Sequence, residues 1–488
     1  MSDTVPHDAK YAWFELPGVE PPKRSATERL ADFLEVYGPY DEATAREQAS
    51  RCLQCPEPLC VQGCPLGSRI PEWLLLTAEG HFLEAAALTR SANNLPEICA
   101  QVCPQDDLCE GACILNGKAE AVSISAIERF LNEYAFAHGA VDASPAKSNG
   151  LSVAVLGSGP GGLACADELT GRGYAVTVLE TQPLPGGLLV NGIPAFKLEK
   201  TAVERRIELL RRRGVRFRIG AEVRLELNLR DLRDRFDAVF LGFGAQQAHP
   251  LTVPGAELKG VSQALPFIIH HTTDVPLDVA PPEVKGRRVV VLGGGDTALD
   301  CARTALRCAA AEVLCLYRRD RANLRASSRE YENAVEEGAK FQFLTAVVEV
   351  LGNRAGEVTG VRCVRTELAA AAAGGGRPPP VAVPNSEFTM PAEVVLVAYG
   401  FDPLPHRTWA DYSQLAQTET GGLRVDENQM TSLPGVFAGG GLVRGPSPVV
   451  YAVRDGRRAA QAIHRYLTTR REGDLGTSHT DHLTPEAL

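Results

Sequence analysis

Leu151-Ser-Val-Ala-Val-Leu156 runs directly into Gly157-Ser158-Gly159-Pro160-Gly161-Gly162. A short apolar run that ends in glycines reads as a buried parallel strand opening into a βα turn. The glycine spacing is G-x-G-x-x-G. The first glycine permits the tight turn, the second lets backbone approach a pyrophosphate, and the last allows close helix–strand packing. The following helix turns its free N–H groups toward phosphates. The next apolar run, Tyr174-Ala-Val-Thr-Val-Leu179, ends at Glu180. That is close to the roughly 20 residues expected before an acid that hydrogen-bonds a ribose. An ordinary glycine-rich turn is the alternative, and the placed strand and acid weigh against it.

The pattern recurs. Arg288-Val-Val-Val-Leu292 leads into Gly293-Gly294-Gly295-Asp296-Thr297-Ala298. Here the next strand, Glu312–Tyr317, ends in Arg318-Arg319 and not in an acid. Two forked guanidiniums suit a 2′-phosphate through charge-assisted hydrogen bonds, so this site is expected to prefer NADPH. A solvated basic strand end is the bland reading. A third strand-to-glycine junction, Gly435–Gly441, precedes a helical stretch from Val449 to Leu467. Two dinucleotide sites in one chain imply a resident flavin, FAD, and a nicotinamide that reduces it. The return segment, with Gly440 and Gly441, would close the flavin site from the far end of the chain. The expected fold is α/β, with one Rossmann-like domain inserted in another.

Eight of the 13 cysteines lie between Cys52 and Cys113. They form Cys52-x2-Cys55-x4-Cys60-x3-Cys64 and Cys99-x3-Cys103-x5-Cys109-x3-Cys113. Thiolates at such spacings suit iron–sulfur clusters, and eight suffice for two 4Fe-4S centres. Zinc also takes four thiolates, but electrons arriving at a flavin need a one-electron exit. Cys165, Cys301, Cys308, Cys315 and Cys363 sit in helical or strand patterns and read as packing residues. The basic run Arg205, Arg206 and Arg211–Arg213 reads as a solvated helix face. Docking of an acidic partner, or contact with a dinucleotide, is its alternative.

The 488 residues, 44% hydrophobic and 23% charged, suit a soluble chain of two or three domains. A net charge of −10 argues against nucleic acid. Met1–Lys10 shows no signal peptide, and no run reaches the roughly 18 apolar residues of a membrane span, so no membrane and a reducing cytoplasm are expected. Clustered cysteines there point to metal or redox centres. The expected division is an α-helical iron–sulfur domain over 1–149, with helices at Ile70–Thr89 and Ile124–His138. The first part of the FAD domain spans 150–282, the NADPH domain 283–398, and the second FAD part 399–470. A polar tail occupies 471–488. Ala369–Ala373, Gly374–Gly376 and Pro378–Pro380 read as a flexible surface loop between strands Val361–Glu367 and Val381–Val383.

From about Ala45 to Leu467 the chain resembles the small (beta) subunit family of bacterial NADPH-dependent glutamate synthase. The matching segments are Arg51-Cys-Leu-Gln-Cys55, Leu95–Gln105, Leu108–Cys113, Gly192–Lys200, Val289–Ala298 and Tyr317–Asp320. The same module resembles the N-terminal part of dihydropyrimidine dehydrogenase and related NADPH:ferredoxin oxidoreductase subunits. The resemblance implies that one cluster uses Cys52, Cys55, Cys60 and Cys113. It implies Cys64, Cys103 and Cys109 for the other, with Cys99 or Glu128 as the fourth ligand. It also implies flavin contacts at Gly187, Leu188 and Lys197, and a nicotinamide-side contact at Arg329. The implied activity is hydride transfer from NADPH to FAD, then single electrons through the clusters to a partner, with no protein acid or base required. That partner is most simply the glutamate synthase large subunit, which makes two glutamates from glutamine and 2-oxoglutarate. Ferredoxin or a pyrimidine reductase are the other acceptors, and a non-catalytic redox sensor or scaffold is the third reading. Two departures stand out: Gly441 where relatives carry Asp, with weaker FAD retention expected, and Leu324-Arg325 where relatives carry Met-Pro.

Overall fold

A computed structural model describes residues 11–220, 228–273, 279–370, 377–403 and 410–477. Its N-terminal third is helical: Glu42–Ser50, Ile70–Glu79, Phe82–Ala92, Pro96–Val102 and Ile124–Ala137 are its longer elements. Asp41 caps the first of these, accepting a hydrogen bond from the Thr44 amide at 2.7 Å. The helix expected over Ile70–Thr89 is two helices. Gly80 takes φ of 88°, a left-handed conformation that ends the first helix and that a residue with a Cβ adopts only at a cost. Trp73, Leu74, Ala86, Ile127 and Leu131 fill the helical core, where Phe82 meets Phe130 edge-on at 5.0 Å.

The first sheet is parallel throughout. Its order is Val436–Ala438, Ala238–Leu241, Ser152–Leu156, Ala175–Glu180, Arg216–Ile219. Val153 to Leu156 are wholly buried, as a central strand covered on both faces requires. The second parallel sheet runs Val261–Gln263, Val394–Val397, Arg288–Leu292, Glu312–Leu316, Lys340–Gln342. All its strands lie between those of the first sheet in sequence, so one unit is inserted in the other. The insertion starts before residue 283, which corrects the expected boundary. Val261-Ser-Gln263 is a short, half-buried edge strand without an apolar or glycine signal. Where the chain crosses between the units, Gln247–Ala248 pairs antiparallel with Phe401–Asp402. Strands Val358–Leu368 and Pro380–Ala382 form the ladder expected around the low-complexity segment, with Leu368 opposite Pro380. Residues 371–376 of that segment lie outside the described residues. The C-terminal helix Val449–Thr477 continues past the expected tail boundary at 470. A Cβ on Gly456 would lie 2.1 Å from the Gly161 carbonyl, so this helix packs backbone to backbone on Pro160–Gly171.

Within the basic run on helix Lys200–Arg212, Arg211 and Arg212 are exposed, as expected of a solvated face, but Arg205, Arg206 and Arg213 are not part of one. Arg206 is buried and grips Glu97 through two hydrogen bonds of 2.7 Å. Arg205 pairs with Glu133 and stacks 4.1 Å from the Phe136 ring. Arg213, which follows the helix, binds Asp167 at 2.6 Å and the Asp142 carbonyl at 2.9 Å. Glu97 and Glu133 belong to the helical domain, so the acidic partners of Arg205 and Arg206 are within the chain itself.

Candidate dinucleotide cleft and cysteine centres

The glycine turns of both sheets open onto one cleft of about 1120 Å³. On the flavin side, Gly157 has φ of 93°, and a Cβ there would press on the Gly242 carbonyl at 2.8 Å. A Cβ on Gly162 would lie 2.0 Å from the Gly157 carbonyl. Helix Pro160–Gly171 starts at Gly159 with proline in its first turn, where no hydrogen-bond donor is lost. Glu180 is buried at the end of its strand and accepts hydrogen bonds from the Ser158 amide at 2.9 Å, the Ser158 hydroxyl, and the Gln182 amide at 2.8 Å. The turn and the acid therefore fix one another. Gly157, Gly159, Pro160, Gly161, Glu180, Gly187, Leu188, Lys197, Gly440 and Gly441 all line the cleft. Ser158 lies buried behind it and donates to Glu180 while accepting from the Gly186 amide at 2.8 Å.

Gly441 has a physical reason. A Cβ there would stand 3.0 Å from the Ala245 amide nitrogen, tighter than ordinary packing. The acid next to this turn comes instead from the C-terminal helix: buried Asp455 accepts from the Gly440 amide at 3.0 Å and pairs with Arg444.

Asn191 was not legible from the sequence motifs. It is buried, lines the cleft, and neither its amide nitrogen nor its oxygen has a partner among the described residues. A buried polar group in that state calls for a ligand. Lys197, which follows Phe196, reaches across to the inserted unit, 3.1 Å from Asp300 and 3.6 Å from Glu330. Burial alone would lower its pKa, but Asp300, Glu330 and Asp296 outweigh this and raise it. Burial pushes Asp300 up to about 6, with Lys197 pulling the other way. One ammonium is shared among several acids, so the lysine stays charged.

On the inserted side, Gly293, Gly294, Gly295, Asp296, Thr297, Arg318 and Arg319 line the same cleft. A Cβ on Gly294 would strike the Tyr317 ring at 2.5 Å. Arg325 and Arg377, which the motif reading did not single out as ligands, line it too. Arg329 does not. Its guanidinium lies 3.7 Å from the Tyr37 ring, turned toward the N-terminal segment and away from the cleft lining.

The eight clustered cysteines fall into two groups. Burial, then the neighbouring sulfurs, push Cys52 to about 11 and Cys60 to about 12, with Cys55 and Cys113 facing both. Cys64, Cys99, Cys103, Cys109 and Glu128 line a second, separate cavity of about 30 Å³. A hydrogen bond with Cys99, and then burial, raise Cys103. Burial and then Glu97 push Glu128 up to about 8. Among the described residues no three such side chains converge closely enough to share one ion. Cys165, Cys301, Cys315 and Cys363 are buried, and half-buried Cys308 lies 3.5 Å from the His271 ring nitrogen.

Residues 151–456 match the family described as pyridine nucleotide-disulphide oxidoreductase. Residues 29–140 match dihydropyrimidine dehydrogenase domain II, 4Fe-4S cluster. The chain is 43% identical over 467 residues to the glutamate synthase (NADPH) small chain of Escherichia coli K12, covering 94% of this chain and 98% of that one. The Azospirillum brasilense small chain is 43% identical over 470 residues, covering 94% and 96%. A longer E. coli protein named as an oxidoreductase, AegA, is 43% identical over 461 residues, 92% of this chain but 69% of that one. Mycobacterium tuberculosis FprA in complex with NADPH shares the fold at TM-score 0.58 and 22% identity, over 66% of this chain and 86% of that chain. The chain belongs to the family of glutamate synthase small chains, NADPH-dependent flavin oxidoreductases with an N-terminal 4Fe-4S domain.

Proposed function

We propose that the chain oxidises NADPH in the shared cleft and feeds single electrons through two 4Fe-4S centres to the large subunit of glutamate synthase. When bound, FAD supplies hydride acceptance and the clusters supply one-electron transfer. The observation that carries the reading is the place of Cys103. Its neighbours Val102 and Pro104 both line the dinucleotide cleft, while Cys103 itself lines the second cysteine cavity. The route out of the cleft thus begins at Cys64, Cys99, Cys103 and Cys109 and continues to Cys52, Cys55, Cys60 and Cys113.

The residues present fit these groups. Gly157–Gly162, Glu180, Gly187, Leu188, Gly440 and Gly441 hold the FAD, and the unpartnered Asn191 amide gains a partner there. Lys197 lines the flavin side of the cleft and also positions the inserted unit against the flavin unit through Asp300. Gly293–Thr297 hold the pyrophosphate of NADPH, and Arg318 and Arg319 its 2′-phosphate. Arg329 has a structural role against Tyr37. Cys99 is the fourth ligand of the second centre in preference to Glu128. Thiolate is the softer donor, and Cys99 stands one helical turn before Cys103 on Pro96–Val102. All eight clustered thiols are unpaired, which suits a reducing cytoplasm.

Anaerobic mixing of the purified protein with NADPH tests the first half. The expected outcome is loss of flavin absorbance with a higher kcat/KM than for NADH. A preference for NADH, or no flavin band, overturns it. Co-purification tests the second half. A large subunit that forms glutamate from glutamine and 2-oxoglutarate when NADPH is added supports the assignment. The likeness to AegA, a longer oxidoreductase, favours a second reading in which the same input unit serves another acceptor. Reduction of added ferredoxin with no glutamate formed would select that reading.

A further inference from the structure

Four arginines of different origin meet at one end of the cleft. Arg318 and Arg319 follow the strand Glu312–Leu316 by one residue. Arg325 follows on the next loop, where its amide donates to the Gly294 carbonyl at 2.8 Å. Arg377 comes from elsewhere, between strands Val358–Leu368 and Pro380–Ala382. All four line the cleft, and among the described residues none of them forms an ion pair with a carboxylate. Like charges so placed repel one another, and an anion among them would relieve that repulsion.

The exit of Arg377 is well defined. Leu368 pairs with Pro380, and the Ala369 amide donates to the Pro379 carbonyl at 3.0 Å. Pro378, Pro379 and Pro380 each have φ locked by the ring. Arg319 Nε donates to the Pro378 carbonyl at 3.0 Å. One nitrogen of Arg377 donates to the Tyr317 hydroxyl at 3.2 Å and to the Asn323 carbonyl at 3.1 Å. Its remaining N–H groups have no partner among the described residues. The guanidinium is thus braced on one edge and open on the other, a geometry made for phosphate. Burial, together with the charges of Arg325 and Arg319, holds Arg377 below its ordinary value. A dianion at this point relieves that repulsion.

We infer that Arg377 reads the 2′-phosphate of the dinucleotide, making the proline-stiffened segment after Gly376 a specificity element of the nicotinamide site. This rests on the NADPH reading above. The full-length protein is titrated by calorimetry with adenosine 2′,5′-bisphosphate and with adenosine 5′-monophosphate, which lacks the 2′-phosphate. Arg377→Ala is expected to weaken the bisphosphate about tenfold, the scale of one charge-assisted contact, and to leave the monophosphate unchanged. Arg377→Lys, which keeps the charge, is expected to recover part of that loss. Unchanged bisphosphate affinity in Arg377→Ala overturns the inference, and so does an equal loss for both probes, because Arg377 would then only brace Tyr317 and Asn323. A parent protein that binds both probes equally overturns the NADPH reading itself.

Discussion

Arg206 and Glu97 join the cysteine-bearing helix to the flavin unit, and removing one partner alone exposes what that junction is worth. Their side chains are 2% and 0% exposed, with both hydrogen bonds at 2.7 Å. Burial alone would lower the Arg206 pKa, but the Glu97 carboxylate outweighs it and raises it. Arg206→Met leaves a carboxylate buried without its cation, a change worth about 3–5 kcal/mol. Glu97→Met strands the guanidinium at a similar cost. Replacing both restores an apolar, filled site, where pairs of this kind are often neutral or better. The double variant is therefore expected to be more stable than either single one. The assay is thermal unfolding followed by far-UV circular dichroism. At about 2–4 °C per kcal/mol for a unit of roughly this size, each single variant lowers Tm by about 6–20 °C. A double variant whose loss equals the sum of the two single losses would refute the reasoning, because the pair would then carry no coupling.

Gly162→Ala should abolish flavin retention, since its Cβ would stand 2.0 Å from the Gly157 carbonyl; flavin absorbance at full occupancy in that variant would count against the close helix–strand approach. Glu337 should govern acid sensitivity. Burial raises its pKa, but hydrogen bonds and charge from Arg303 and Arg307 outweigh this and hold it at about 2, below the ordinary 4.5. A depressed pKa contributes stability that is fully present above pH 4.5 and is lost as pH falls toward 2. Glu337→Gln should thus cost about 3 kcal/mol at neutral pH and nothing measurable at the acid end, read from denaturant midpoints across that range. Equal losses at both ends would contradict it. Cys99→Ala should lower iron per chain while Glu128→Gln leaves it unchanged, measured by iron analysis under anaerobic purification; the reverse pattern makes Glu128 the ligand.

What was legible in the sequence follows from where physics leaves few choices. Gly157, Gly162, Gly293 and Gly294 meet backbone or an aromatic ring within 3 Å of any added Cβ, so glycine itself carries the information. The buried parallel strands announce themselves as apolar runs. The basic run misled because its partners are remote: Glu97 and Glu133 lie far upstream of Arg206 and Arg205, and charge pattern alone cannot pair them. Arg377 was hidden by the alanine, glycine and proline around it, which reads as loop. Val261–Gln263 carries no strand signal because an edge strand needs little apolar surface. Gly80 marks a helix end that the surrounding helical pattern masks, because one left-handed glycine does not break the apolar spacing on either side.

The three units meet at one helix, and that arrangement bears on how the reaction is coupled. Ser328–Glu336 and the following Glu337 belong to the inserted unit. Glu337 is shared by Arg303 and Arg307 of the same unit and by Arg29 of the N-terminal region at 3.2 Å. The ring of Phe196, from the flavin unit, lies 4.5 Å from the Arg303 guanidinium and 4.0 Å from that of Arg307. Lys197 beside it reaches Glu330 on the same helix. Hydride transfer demands close, aligned approach of donor and acceptor, and a nicotinamide unit joined to the flavin unit by only two chain crossings would not hold that alignment unaided. The Phe196–Lys197 step contacts the inserted unit from the flavin side and Arg29 from the N-terminal side. The inserted unit is thus braced from the flavin side by Phe196 and Lys197 and from the N-terminal region by Arg29, so its position depends on both.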